Sequence, residues 1–136
     1  MKKLIATMAL TTSFLMAGSY TQADRIKDMQ ILAEAMQEIQ NGFFYNNYDI
    51  IKEGTIKLSE TMDRVKPPLE EVEEKDVMTR YLNNKVQMTN KVKKKINKKA
   101  KDILERFADG DPTQAIQAYT KITKECMKCH IQLRKW

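Results

Sequence analysis

The chain has 136 residues, 31% of them charged, a formal net charge of +6, and only two cysteines, one histidine and four glycines. That length supports one small core, and so few cysteine and histidine side chains exclude a disulfide-stapled scaffold and a zinc site closed within the chain. The positive balance is mild, and in an exported protein it suits an acidic protein or anionic lipid better than nucleic acid, so no nucleic-acid partner is expected.

Met1-Lys2-Lys3 and the apolar run that follows, residues 4–17, have the charged head and short hydrophobic stretch of a secretory signal. The run is too short for a stable membrane span. Thr21-Gln22-Ala23 places small residues three and one before a cut, so cleavage is expected after Ala23, with the Ala17 region as second choice. Residues 1–23 are therefore expected to be a signal peptide and 24–136 one exported, periplasmic domain. Removal of Lys2 and Lys3 lowers the net charge from +6 to +4.

The remaining sequence reads as helix, broken by glycine, proline and asparagine. A first helix is predicted from about Asp24 to Phe44, with Met29, Ala33, Met36 and Phe43 on one stripe and Leu32 and Ile39 beside it. Asn46-Asn47 turns the chain into a second helix, Tyr48 to Val65, with Ile51, Thr55, Leu58 and Met62 inward, and Pro67-Pro68 stops it. A long third helix is predicted to begin between Glu70 and Asp76 and to run to Ala108, marked by Leu82, Val92, Ile96, Ile103 and Phe107 and closed by Asp109-Gly110. The fourth opens with Asp111 as N-cap and Pro112 at the first helical position, and carries Ile116, Tyr119 and Ile122. No strand pattern competes, so an all-α antiparallel four-helix bundle is expected.

The fourth helix also carries Cys126-Met127-Lys128-Cys129-His130. C-x-x-C-H is the attachment sequence of c-type haem: the thiols bond the porphyrin and the imidazole binds iron. Zinc would need further ligands from carboxylates or a second chain, and a redox dithiol would need a strand before the motif. One covalently bound haem per chain is the reading that uses the only Cys and His residues together. At about 100° per residue, Cys126 and Cys129 lie about 60° apart and His130 about 40° from Cys126, so all three share one face. Arg134 lies one turn beyond His130 and either approaches the haem pocket or is simply solvated.

This arrangement resembles the cytochrome c-prime family, across the whole chain after the signal: a Gly110-Asp111 turn, a last helix with Tyr119, the motif at Cys126 to His130, and Arg134 four residues on. The resemblance implies a haem-bearing four-helix bundle and, at the family's first-helix positions, Arg25 beside the haem and Met29 facing the distal side of the iron. The family's high-spin members have an apolar residue there and bind small gases such as NO or CO, whereas its low-spin members, of the c-556 type, use methionine. With Met29 opposite His130, and Met36 as runner-up, the chain is expected to be an electron carrier, not an enzyme; the five-coordinate gas binder remains the alternative. Methionine also fills helical cores, and the chain has nine of them. Dimers through the first two helices occur in the family, so Phe43, Phe44 and Tyr45 serve either a homodimer interface or the core's end.

Lys85, Lys91, Lys93, Lys94, Lys95, Lys98, Lys99 and Lys101 form an acid-free run, with Glu70, Glu71, Glu73, Glu74 and Asp76 before it. This polarity suits the helix dipole as an ordinary solvated face. It equally suits a docking surface for an acidic redox partner.

Overall fold

The computed structural model describes residues 20–67, 76–82 and 84–134. Most of the signal-like segment, Pro68, most of the acidic stretch, and the side chains of Leu82 and Arg134 lie outside the described residues.

Among the described residues the chain is all-α, without strands: α1 (Gln22–Phe44), α2 (Tyr48–Arg64), α3 (Val77–Leu82), α4 (Asn84–Ala108) and α5 (Pro112–Arg134). α1 starts earlier than its apolar pattern indicates because Thr21 and Asp24 form a reciprocal capping box, each satisfying the other's backbone N–H. Asn46 takes the turn at φ +49°, and the Asn47 side chain accepts from the N–H groups of Asp49 and Ile50 to open α2. The predicted third helix is two helices. Asp76 accepts from the N–H groups of Met78 and Thr79, so α3 begins at Val77, and α4 begins separately at Asn84. Gly110, at φ +78°, lets the chain leave α4, and Asp111 accepts from the N–H of Gln114 to start α5.

α1 packs on α2, α2 on α4 and α4 on α5, around a core of Leu32, Ala35, Ile39, Ile51, Leu58, Val92, Ile96, Ile103 and Ile122. α1 and α5 have no comparable backbone seam among the described residues. They meet at one end, where the Phe43 ring stands edge-on to Tyr119 at 5.8 Å and tilts against Phe107 at 5.9 Å. Phe43 therefore closes the core, while Phe44 and Tyr45 are exposed at the α1–α2 turn.

Two helical faces differ from the periodicity reading. The buried line of α1 is Asp28, Leu32, Ala35, Ile39 and Gly42, whereas Met29 and Met36 are half-buried and Ala33 is exposed. The methionine stripe thus borders the core without forming it. On α5, Ala115, Ala118 and Ile122 are buried and Ile116 is 46% exposed, because small side chains are what lets α5 lie close against α4.

The α1–α2 crossing is tight. A Cβ on Gly42 would lie 2.6 Å from the Ile51 side chain and 2.8 Å from its backbone nitrogen. Gly42→Ala should therefore destabilise the fold by about 1–3 kcal/mol of overpacking, more than the ~1 kcal/mol that helix propensity returns in an interior position, and less of that return is available in this last turn. Urea denaturation of the variant checks this through a lower midpoint at unchanged slope.

Candidate functional site

Where α1 and α5 diverge, two adjoining cavities of about 240 and 160 Å³ open between them. Both are lined by Met29 from α1, Met62 from α2, and Cys129 and His130 from α5. The helical face shared by Cys126, Cys129 and His130 thus points across a gap at the α1 stripe that periodicity assigns to the core. Met36, Ala33, Leu32, Val92, Ile96 and Cys126 wall the smaller cavity, which is almost wholly apolar. The larger also has polar lining, from Gln22, Arg25, Lys66 and the buried Thr89. A larger open groove of about 670 Å³ on α5 is walled by that helix alone and meets the motif only at Met127 and Lys128, so it encloses nothing.

Both thiols are free and partly buried. Burial, then the neighbouring Cys129, pushes the Cys126 thiol up to about 11, and burial raises that of Cys129. In this setting both thiols are biased toward the neutral form. Among the described residues no three His, Cys, Asp or Glu side chains converge to hold a metal ion by themselves. The chemistry of the lining suits a ligand with an apolar body and, beside Arg25 and Lys66, room for a polar or anionic group.

The mouth is braced by residues that have no motif. Tyr20 donates to Asp28 Oδ2 at 2.9 Å, and Arg64 Nη2 donates to Asp28 Oδ1 at 3.3 Å and to Thr61 Oγ1 at 3.1 Å. Asp28 is buried, so this pairing is what makes its position on the packed line of α1 tolerable. Arg25 Nη2 donates to the Pro67 carbonyl at 3.0 Å, while its buried Nε has no partner among the described residues.

Of the site residues singled out from the sequence, Arg25, Met29, Met36, Cys126, Cys129 and His130 are brought together. Arg134 ends α5, with its side chain outside the described residues. Met62 lines the site as well as the core, and Lys66 and Thr89 join it; no local signal marks them, because α2, the segment after it and α4 supply them from a distance.

No protein-family model, curated protein or solved structure matches the chain.

Burial, followed by the hydrogen bond to Asp28, holds the Tyr20 phenol above its ordinary pKa of 10.0. A raised folded-state pKa gives stability that is complete below the unfolded value and is lost as pH rises toward the folded one. Tyr20→Phe should therefore lower stability by about 1 kcal/mol at neutral pH, the scale of one such hydrogen bond. Urea melts across pH should show that gap constant below pH 10.0 and closing above it.

Proposed function

We propose that the chain is an exported c-type cytochrome, an antiparallel four-helix bundle resembling low-spin members of the cytochrome c-prime family, that carries single electrons. The observation that carries the reading is that Met29 and His130 wall the same cavities from α1 and α5, with both motif thiols beside them. The three-residue connections at 45–47 and 109–111 favour antiparallel neighbours, in keeping with a bundle. The residues present fit haem: apolar walls for the macrocycle, a cationic mouth with the orphaned Arg25 Nε for its carboxylates, and an imidazole and a thioether on opposing helices.

Cys126 and Cys129 would hold the group covalently, and the His130 imidazole and the Met29 thioether would bind its iron. When bound, haem supplies a one-electron couple, whose potential a methionine ligand raises. With both positions filled by side chains, the protein's task is to keep that couple dry and oriented. Leu32, Val92 and Ile96 exclude water from the apolar end.

Three thioethers border the site, and they differ in setting. Met62 is 4% exposed and packed into the core, while Met36 lines the apolar cavity alone. Met29 lines both cavities with His130 and is half-buried, so its thioether has the freedom to turn toward a metal. Absorption spectra of the haem-loaded protein test this: the natural chain should show the weak sulfur-to-iron band at the red edge, Met29→Leu should lose it and bind CO fully when reduced, and Met36→Leu and Met62→Leu should keep it. A ferric high-spin spectrum of the natural chain would assign the five-coordinate gas binder instead.

Charge on the surface supports an acidic redox partner. Every acid on α4 and α5 past the first turn is occupied: Asp102 by Lys99, Glu105 by Lys101 at 3.4 Å, and Glu125 by Lys95 at 2.6 Å. Lys93 donates to the Asp63 and Val65 carbonyls at the end of α2. Lys91, Lys94 and Lys98 on α4 and Lys121, Lys124 and Lys128 on α5 remain exposed, with no ion pair among the described residues. Oxidation of the reduced protein by anionic ferricyanide should slow with rising ionic strength, by about tenfold or less between low and physiological salt. A cationic cobalt complex should show the opposite trend, and Lys94→Glu with Lys98→Glu should weaken both. Rates indifferent to salt would remove the docking surface.

A further inference from the structure

Three large apolar side chains stand out from the bundle on α5. Ile116, Met127 and Ile131 are 46%, 41% and 54% exposed. At about 100° per residue they fall within about 60° of one another, on a line about 22 Å long. Thr120 and Thr123 lie between them, and their hydroxyls donate to the Ile116 and Tyr119 carbonyls at 3.0 and 3.3 Å, so both hydroxyl protons are spent within α5. Lys121, Lys124 and Lys128 run beside the line and are exposed. The only acid in the α5 sequence, Glu125, turns to Lys95 at 2.6 Å, so no carboxylate of this helix offsets them. α4 is richer in lysine, yet among the described residues it exposes no large apolar side chain. Charge and apolar surface therefore coincide on α5.

This face belongs to one helix, whereas a standard protein interface takes roughly 800 Å² from each partner. A lipid surface asks for less: one helix lying in its plane, with apolar side chains at the acyl boundary and lysines among the headgroups. We propose that α5 is a peripheral docking ridge for an anionic phospholipid surface, which Ile116, Met127 and Ile131 enter while Lys121, Lys124 and Lys128 meet the phosphates. The lysine stems lie against apolar surface and carry their charge outward to the headgroups. No helix among the described residues is long and apolar enough to cross a membrane, so the contact stays at the surface. Three partly exposed side chains and three lysines give reversible attachment that salt weakens. None of the three apolar residues lines the two cavities, so the ridge does not depend on the haem reading. It also leaves Lys94 and Lys98 of α4 available to a redox partner.

The test is cosedimentation of the protein, after signal removal, with vesicles of phosphatidylglycerol and, separately, of phosphatidylcholine. The natural protein should sediment with the anionic vesicles and stay in solution with the zwitterionic ones, and added salt should release it. Lys124→Gln and Lys128→Gln should each lower the partition coefficient about fivefold. Met127→Gln with Ile131→Gln should lower it about tenfold or more while circular dichroism shows the helices intact. Ile56→Gln and Lys52→Gln, exposed controls on α2, should leave it unchanged. Equal binding to both vesicle types, or binding indifferent to the α5 substitutions, would overturn the ridge. Absence of vesicle binding would overturn it too, and retention on immobilised polyglutamate that the lysine substitutions abolish would then assign this face to an acidic protein.

Discussion

The edge-on contact of Phe43 with Tyr119 is the constraint on which the rest of the molecule depends. α1 and α5 are joined to the core through α2 and α4, and they touch each other at this aromatic end. Phe107, itself stacked on Tyr48 at 6.2 Å, fills the same corner. Away from this corner, the cavities beside the motif are lined by α1 and α5 together with α2 and α4. An aromatic pair adds only about 0.5–1.5 kcal/mol beyond its buried area. Its importance is geometric: it is a direct contact between two helices that otherwise join the core through α2 and α4.

The polar features divide by depth in the same way. The smaller cavity is walled by Leu32, Val92 and Ile96 beside the thiols, and the larger adds Arg25, Lys66 and the buried Thr89. The lysines of α4 lie outside both. Those turned toward neighbouring helices are engaged, by Glu125 and by the carbonyls ending α2, so they contribute to packing. Those turned away carry the net charge of the molecule to the surface. One helix thus serves two purposes according to the angle at which each lysine leaves it.

The helices were legible in the sequence because proline, glycine and asparagine punctuate it and because capping chemistry is local. The Cys126–His130 face was legible for the same reason, since five adjacent residues carry the whole signal. The role of the Met29–Ala33–Met36 stripe was only half legible. Periodicity reports that a face is apolar, and a core and an apolar cavity look alike at that level. The turn of α1 toward Leu32, Ala35 and Ile39 is set by the close approach at Gly42 and Gly54, which is tertiary. Ile116 failed similarly, its place taken by alanines that permit close helix contact. Met62 could be read only as core and Lys66 not at all, because their place beside the motif is set by what distant segments bring to one point.

Tyr20 and Thr21 stand upstream of Ala23, and that order has a consequence for maturation. A peptidase cutting after Ala23 would remove, in one event, the capping box of α1, the phenol on Asp28 and the ring beside Arg25 and Lys66. A cut in the Ala17 region would spare all three. The position of a single hydrolysed bond, between Gln22 and Arg25 of the cavity wall or upstream of both, would thus decide whether the finished protein keeps the cap of its first helix.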